Sequence, residues 1–293
     1  VASVTCVETR LNSNILARPC YSCATLTAET AVYKQIHIVG CSPRSGTTLL
    51  YEMMSACCHF DKLYGHETRF NRTQASDGQT LLTKRPKDTQ FMPRVLASVP
   101  EFWVIYCLRD PRDVVVSKHR IAGDKYYSNL RLWREQHGFA QRMQTHERCI
   151  TVRYEDLVRD PDAVQSMLQK QIPWLTCTHP FSEYHQHAKL SAQSERAMHG
   201  LRSINTDSIG RWRDNLPRIV SQIQRHGDIS ALLIECGYEA DTSWMNELEG
   251  IQPDHSPSRY PDRKGLWNQI RQGGNIALKV AAYRFNRWRR GQL

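Results

Sequence analysis

Short apolar runs at residues 36–40, 81–83, 102–108 and 149–154 predict buried strands, and the stretches between them carry apolar residues at helical spacing. Helices are expected over 47–57, around 90–98, over 130–145 with Leu132, Phe139 and Met143 turned inward, and over 218–235. Two helix starts are written in side-chain chemistry. Asp110-Pro111 and Asp160-Pro161 each put a capping carboxylate ahead of a first-turn proline, where the missing N–H costs no hydrogen bond. Strands that alternate with helices need crossover connections, so the expected fold is α/β, a mainly parallel central sheet flanked by helices. The polar, His- and Ser-rich residues 181–210 break the pattern and should form loops over the carboxyl edge of the sheet. Residues 1–34 read as an irregular lead-in, 35–240 as the folded domain, 241–263 as a proline-containing linker and 264–293 as a basic helix.

Composition narrows the class. With 40% apolar and 23% charged residues the chain is that of a folded globular protein, and no apolar run reaches the roughly 18 residues that a bilayer crossing needs. The 39 basic residues exceed the 29 acidic ones by a net +10, which favours anionic ligands or surfaces. Between Arg263 and Arg290 there are eight basic residues and no acidic one, so much of this charge belongs to the tail. There Leu266, Ile270, Ala277, Ala281, Phe285 and Trp288 recur at helical steps, interrupted by Gly273 and Gly274. Two readings stay open: a helix docked on the domain with its basic face in water, or peripheral attachment to anionic lipid.

Ten cysteines in 293 residues are too sparse for a disulfide scaffold, and reduced thiols in a cytoplasmic protein are the expectation. Cys20 and Cys23 form a lone CxxC, and Cys177, His179, His185 and His187 lack the spacing of a zinc site, so no metal is expected. The sequence begins at Val1 with neither Met nor a signal-like apolar segment, which points to a missing upstream segment; a removed N-terminal anchor would instead place the protein in the Golgi lumen.

The segment richest in chemistry is Gly40-Cys41-Ser42-Pro43-Arg44-Ser45-Gly46-Thr47-Thr48, set between a strand and a helix. Backbone N–H groups at a helix start point toward an anion, the helix dipole favours it, and Gly46 permits close approach. It is not a Walker A loop: five residues separate the glycines, and the lysine after the second one is absent. Read as residues alone, it is either an anion cradle or a tight strand-to-helix turn. Arg109, in Arg109-Asp110-Pro111-Arg112-Asp113, is either a bidentate phosphate ligand or a partner for Asp110 or Asp113.

Four ordered segments together resemble the sulfotransferases that use 3′-phosphoadenosine 5′-phosphosulfate (PAPS). They are Pro43-Arg44-Ser45-Gly46-Thr47-Thr48, the Arg109 element with Ser117 eight residues on, Tyr154-Glu155-Asp156-Leu157, and Gly210-Arg211-Trp212, spread over residues 36–240. The resemblance implies the P-loop NTPase-like sulfotransferase fold, with the co-substrate PAPS leaving as 3′,5′-adenosine bisphosphate (PAP) and no metal. It assigns Arg44, Ser45, Gly46, Thr47 and Thr48 to the 5′-phosphosulfate and Arg109, Ser117 and Arg211 to the 3′-phosphate, while Tyr154 either packs near the adenine or fills core at a strand end. Arg44 and Lys84 would neutralise the transferring group, with Arg85 as competitor for the lysine's place. Glu67, in Gly65-His66-Glu67-Thr68-Arg69, is similar to the glutamate of tyrosylprotein sulfotransferases and is the expected base, with His66 as runner-up and pairing with Arg69 or a helix cap as its bland alternative.

The chain departs from that subfamily. Tyr64 and Leu82 stand where its cysteines are expected, and Ala197 replaces a serine, leaving Ser194 or Ser203 to supply the hydroxyl. The acceptor is therefore expected to be a hydroxyl of a glycan, lipid-linked sugar or other alcohol, with a tyrosine peptide as alternative. A magnesium-dependent nucleotide kinase or NTPase is the competing class, weakened by the missing loop lysine. A nucleic-acid partner is not expected, since no recognition motif accompanies the charge.

Overall fold

The computed structural model describes residues 32–65, 67–118 and 125–293; the Cys20/Cys23 pair, most of the lead-in and His66 lie outside them. Five strands form the sheet: β1 (Lys34–Gly40), β2 (Lys62–Leu63), β3 (Thr80–Lys84), β4 (Phe102–Leu108) and β5 (Cys149–Arg153), in the order β2-β3-β1-β4-β5 and parallel at every pairing. The helices are α1 (Thr47–Cys57), α2 (Met92–Leu96), α3 (Pro111–Val115), α4 (Leu130–Gln141), α5 (Tyr154–Arg159), α6 (Pro161–Gln171), α7 (Tyr184–His187), α8 (Ala192–Met198), α9 (Leu216–His226), α10 (Ser230–Glu235) and α11 (Leu266–Trp288).

Period-two alternation divides the core. Ile36, Ile38, Leu82, Ile105, Cys107, Ile150 and Val152 face a cluster completed by α1 and α6. Val39, Phe102, Val104, Tyr106 and Leu108 face the other side, covered by α2, α4 and α11. The chain passes from β1 to β3 on one flank and returns to β4 on the other. The crevice of such a sheet opens at the carboxyl ends of the strands around that reversal.

Local chemistry sets the helix ends. Asp110 accepts from the Arg112 N–H at 2.8 Å and Asp160 from the Ala163 N–H at 3.0 Å, as the cap-plus-proline pattern predicts. The helix expected around 90–98 is the short α2, entered through a 3-10 turn, Pro86–Phe91, that is not continuous with it because Pro93 has no N–H to donate into that turn. The helix expected over 218–235 breaks at Gly227, whose φ of 81° ends α9 before α10 begins.

Other expectations are corrected. The thiols are not all reduced: Cys58, just past the end of α1, is bonded to Cys177, which removes Cys177 from any ligand set with the neighbouring histidines. Residues 241–263 lie against the domain rather than spanning open solvent. Trp244 is buried, Tyr126 donates to Asp254 at 2.6 Å, Arg218 to Ser258 at 2.6 Å, and Asn129 to the Tyr260 carbonyl at 2.9 Å. Helix α11 runs unbroken through Gly273 and Gly274. It docks by a face that the apolar stripe read from the sequence does not contain: Ile276, Val280 and Tyr283 enter the core, and the Tyr283 hydroxyl meets Tyr33 at 3.1 Å and Gln35 at 3.2 Å. No helix among the described residues is long and apolar enough to cross a membrane.

Candidate active site

The carboxyl ends of β1, β3, β4 and β5 place the sequence-predicted residues along one rim. After β1 the chain turns through residues 41–46, where Arg44 (φ 79°) and Gly46 (φ 88°) take left-handed backbone, and α1 starts at Thr47. Gly46 is required twice over. Its positive φ disfavours any side chain, and a Cβ there would meet the Tyr154 ring at 2.4 Å. Tyr154, opening α5 just beyond β5, thus forms a wall directly against the loop.

Arg109, the first residue after β4, ties the rim together. It donates to the Arg44 carbonyl at 2.9 Å and to the Ser208 carbonyl at 2.6 Å, and its guanidinium lies 4.1 Å from the centre of the Tyr154 ring. Arg44 in turn donates from Nε to Ser117 Oγ at 3.0 Å and to the Ala197 carbonyl at 3.3 Å. Burial, and after it the nearby charge of Arg109, lowers the pKa of Arg44, with Arg211 acting in the same direction. Arg44 and Arg109 are thus mutually repelling cations with Arg211 in electrostatic reach, an arrangement that an anion would relieve. Ser117 lies just past α3 rather than on it, since that helix ends at Val115.

Asp113 builds the outer part of this cluster. Its carboxylate accepts from the N–H groups of Gly210 at 2.8 Å and Trp212 at 3.0 Å, holding the backbone on both sides of Arg211. Arg211 itself is exposed and bonds the Asp207 carbonyl at 2.8 Å. Burial first, and the neighbouring Asp110 second, push the Asp113 pKa up. Arg112 is committed elsewhere, ion-paired with Asp110 and Glu239 and stacked 4.1 Å from the centre of a Trp212 ring.

A second group sits at the other end of the loop. Lys84, the last residue of β3, is buried and donates to Thr48 Oγ1 at 2.9 Å. Burial lowers its pKa to about 8, opposed by the charges of Glu67 and Glu52. Glu52 on α1 is a participant that the sequence did not flag. It is buried, its pKa is raised by burial, and a hydrogen bond from Ser194 and the charge of Lys84 work against that rise. Its one sequence signal is an acid on the buried face of an otherwise apolar helix. Ser194 is therefore engaged with Glu52, while Ser203 is exposed on the loop that also carries Ser208. Arg85 pairs with Asp88 at 3.1 Å. Glu67 is exposed, in left-handed backbone at φ 55°, within electrostatic reach of Lys84 and Lys87.

The residues fit a doubly anionic ligand. Ser45 Oγ and Arg109 Nε are buried without a hydrogen-bond partner, and both belong to the loop-and-arginine rim. Between the arginine cluster and Lys84 lie Ser45, Gly46, Thr47 and Thr48, with Thr47 buried and Thr48 already accepting from Lys84.

A family model described as "Sulfotransferase family" matches residues 65–174. Over that segment, a little more than a third of its length, the chain is similar to the sulfotransferase family. The matched part contains Glu67, Lys84, Arg109, Ser117 and Tyr154; the Arg44 loop precedes it and Arg211 follows it. Among solved structures, the sulfotransferase domain of the Synechococcus PCC 7002 olefin synthase is similar at 16% identity and a TM-score of 0.47, over 63% of this chain and 88% of that one. The sulfotransferase domain from the curacin biosynthetic pathway has 14% identity and a TM-score of 0.40, over 85% and 98%. Retinol dehydratase in complex with androsterone and the inactive cofactor PAP has 13% identity and a TM-score of 0.28, over 85% and 80%. No curated protein matches the chain. Beside the matched segment, the loop and the Gly210–Trp212 turn complete the rim through contacts that only the fold brings about.

Proposed function

We propose that the chain transfers the sulfuryl group of PAPS to a hydroxyl of a glycan, lipid-linked sugar or other alcohol. The observation that carries this reading is the hydrogen bond from Arg109 to the Arg44 carbonyl, which joins the β1 loop and the β4 end into one cationic rim. Arg109, Ser117 and Arg211, backed by Asp113, would hold the 3′-phosphate, with Tyr154 as the wall beside the nucleotide. Ser45, Gly46, Thr47 and Thr48 would hold the 5′-phosphosulfate. Arg44 and Lys84 would supply positive charge from the two ends of the loop as the bridging oxygen gains negative charge. PAPS supplies the activated sulfuryl group. Glu67 would take the acceptor's proton; it is exposed and lies within electrostatic reach of Lys84 and Lys87, beside the end of the loop that would hold the transferring group.

The Cys58–Cys177 disulfide favours an oxidising compartment over the reducing cytoplasm expected from the sparseness of the cysteines. Incubation with radiolabelled PAPS and a panel of glycans, lipids and tyrosine peptides tests the whole reading. Transfer should fall about a hundredfold or more in Glu67→Ala while PAP binding is retained, and both should fall in Arg44→Ala. Label appearing on tyrosine peptides alone would replace the acceptor class, and transfer unchanged in both variants would overturn the assigned roles.

A further inference from the structure

Helix α11 carries two opposed apolar faces, and the sulfotransferase reading uses neither. At 3.6 residues per turn, Ile276, Val280, Tyr283 and Arg287 share the inner face, which is buried against the sheet. On the opposite side Trp267, Ile270, Leu278, Phe285 and Trp288 are 83%, 59%, 72%, 57% and 66% exposed. With Ala277 and Ala281 they make one continuous stripe about 100° wide. Isolated exposed apolar residues are ordinary on a protein surface, but a stripe running the length of a helix marks an interaction surface.

Charge selects the partner. Arg284 borders the stripe on one side, and Arg271 and Arg289 border it on the other, while residues 264–293 contain no Asp or Glu. Arginine at the edge of an apolar stripe can lay its stem along hydrocarbon and keep its guanidinium among headgroup phosphates. Tryptophan near each end of the stripe suits the boundary between acyl chains and headgroups. We propose that α11 lies in the headgroup region of an anionic bilayer leaflet, outer stripe inserted and inner face retained on the domain. The inner face fixes its orientation: Arg287 lies 4.1 Å from the centre of the Tyr33 ring, and Gln292 donates to the Ala75 carbonyl at 3.2 Å and to Asp77 at 3.1 Å. The end of the lipid-facing helix is thereby tied to the loop that follows Glu67.

Co-sedimentation of the full chain with phosphatidylcholine vesicles, with and without phosphatidylserine, tests the proposal. The chain should pellet with the phosphatidylserine vesicles and be released by salt. Trp267→Ser/Phe285→Ser/Trp288→Ser should weaken that binding by roughly tenfold or more, with an unchanged melting temperature because the three side chains face away from the core. Arg271→Glu/Arg284→Glu/Arg289→Glu keeps the apolar stripe and should also lose binding. A chain that stays in the supernatant, or equal pelleting of wild type and either triple variant, overturns the proposal. So does equal binding to pure phosphatidylcholine. A concentration-dependent dimer abolished by the Trp/Phe variant, with no vesicle binding, would overturn it in favour of a second copy on the same stripe.

Discussion

Lys84 is buried, which disfavours its charge, at a place where the proposed sulfuryl transfer would need that charge. With a pKa of about 8 instead of the ordinary 10.5, it is protonated below about pH 8 and neutral above. Activity and stability should therefore respond to pH in opposite senses. Between those two values the unfolded chain binds the proton that the folded chain has lost, so the contribution of Lys84 to stability rises with pH across that window. The value of kcat/KM for PAPS should instead fall as pH passes about 8. Bound donor, being anionic, raises the lysine pKa again, so the kcat profile should break at higher pH than the kcat/KM profile. Lys84→Met should lower kcat by about a hundredfold or more and remove both pH effects; a kcat/KM profile that keeps its alkaline limb in this variant would assign the limb to another group. Gly46 makes a different residue-scale test. In Gly46→Ala the left-handed backbone alone costs about 1–2 kcal/mol, and the new Cβ displaces the Tyr154 ring that it would meet at 2.4 Å. PAP affinity should fall along with the melting temperature, and an unchanged affinity would separate Tyr154 from the nucleotide.

At the scale of elements, the strongest covalent tie joins the end of α1 to the loop before α7 through Cys58 and Cys177, 119 residues apart. A cross-link of this kind stabilises by about 2–4 kcal/mol, largely by restricting the unfolded chain. Cys58→Ser should melt lower by the corresponding amount, and dithiothreitol should lower the wild-type melting temperature to that of the variant while leaving the variant unchanged. Sequence could not supply this pairing, because it depends on two segments that meet only in the folded chain. The strands at 102–108 and 149–154 and the caps at Asp110 and Asp160 were legible because their signals are local: apolar runs bounded by turns, and a carboxylate before proline. The same locality hid the second use of Asp113. As a first-turn acid it satisfies the helix dipole, and nothing nearby in sequence announces the N–H groups of Gly210 and Trp212. Helix α11 shows the limit most plainly. It has two apolar faces, and periodicity picks out the one with more aliphatic and aromatic positions, whereas docking uses the face whose Tyr283 and Arg287 find polar partners on β1 and at the chain's end.

Across the whole molecule, the rim is assembled from chain segments that share no secondary-structure element: the β1 loop, the end of β3, the end of β4, the start of α5 and the Gly210–Trp212 turn. A ligand that touches all of them should stabilise the fold as a unit, since binding to the native state alone adds about 2.7 kcal/mol at a ligand concentration 100 times Kd. PAP has phosphates for both the arginine cluster and the loop, whereas 5′-AMP lacks the one assigned to Arg109, Ser117 and Arg211. Thermal melts should therefore show a large shift with PAP and a small one with 5′-AMP at equal concentration. Arg109→Ala should reduce the PAP shift to that of 5′-AMP, because it removes both the 3′-phosphate ligand and the donor to the Arg44 carbonyl. Asp113→Asn should give an intermediate shift: its amide can still accept from one N–H of the Gly210–Trp212 turn, yet it no longer offers a charged acceptor to both. If 5′-AMP protected wild type as well as PAP did, the arginine cluster would not be reading the 3′-phosphate, and the rim would be a single-phosphate site centred on Ser45–Thr48.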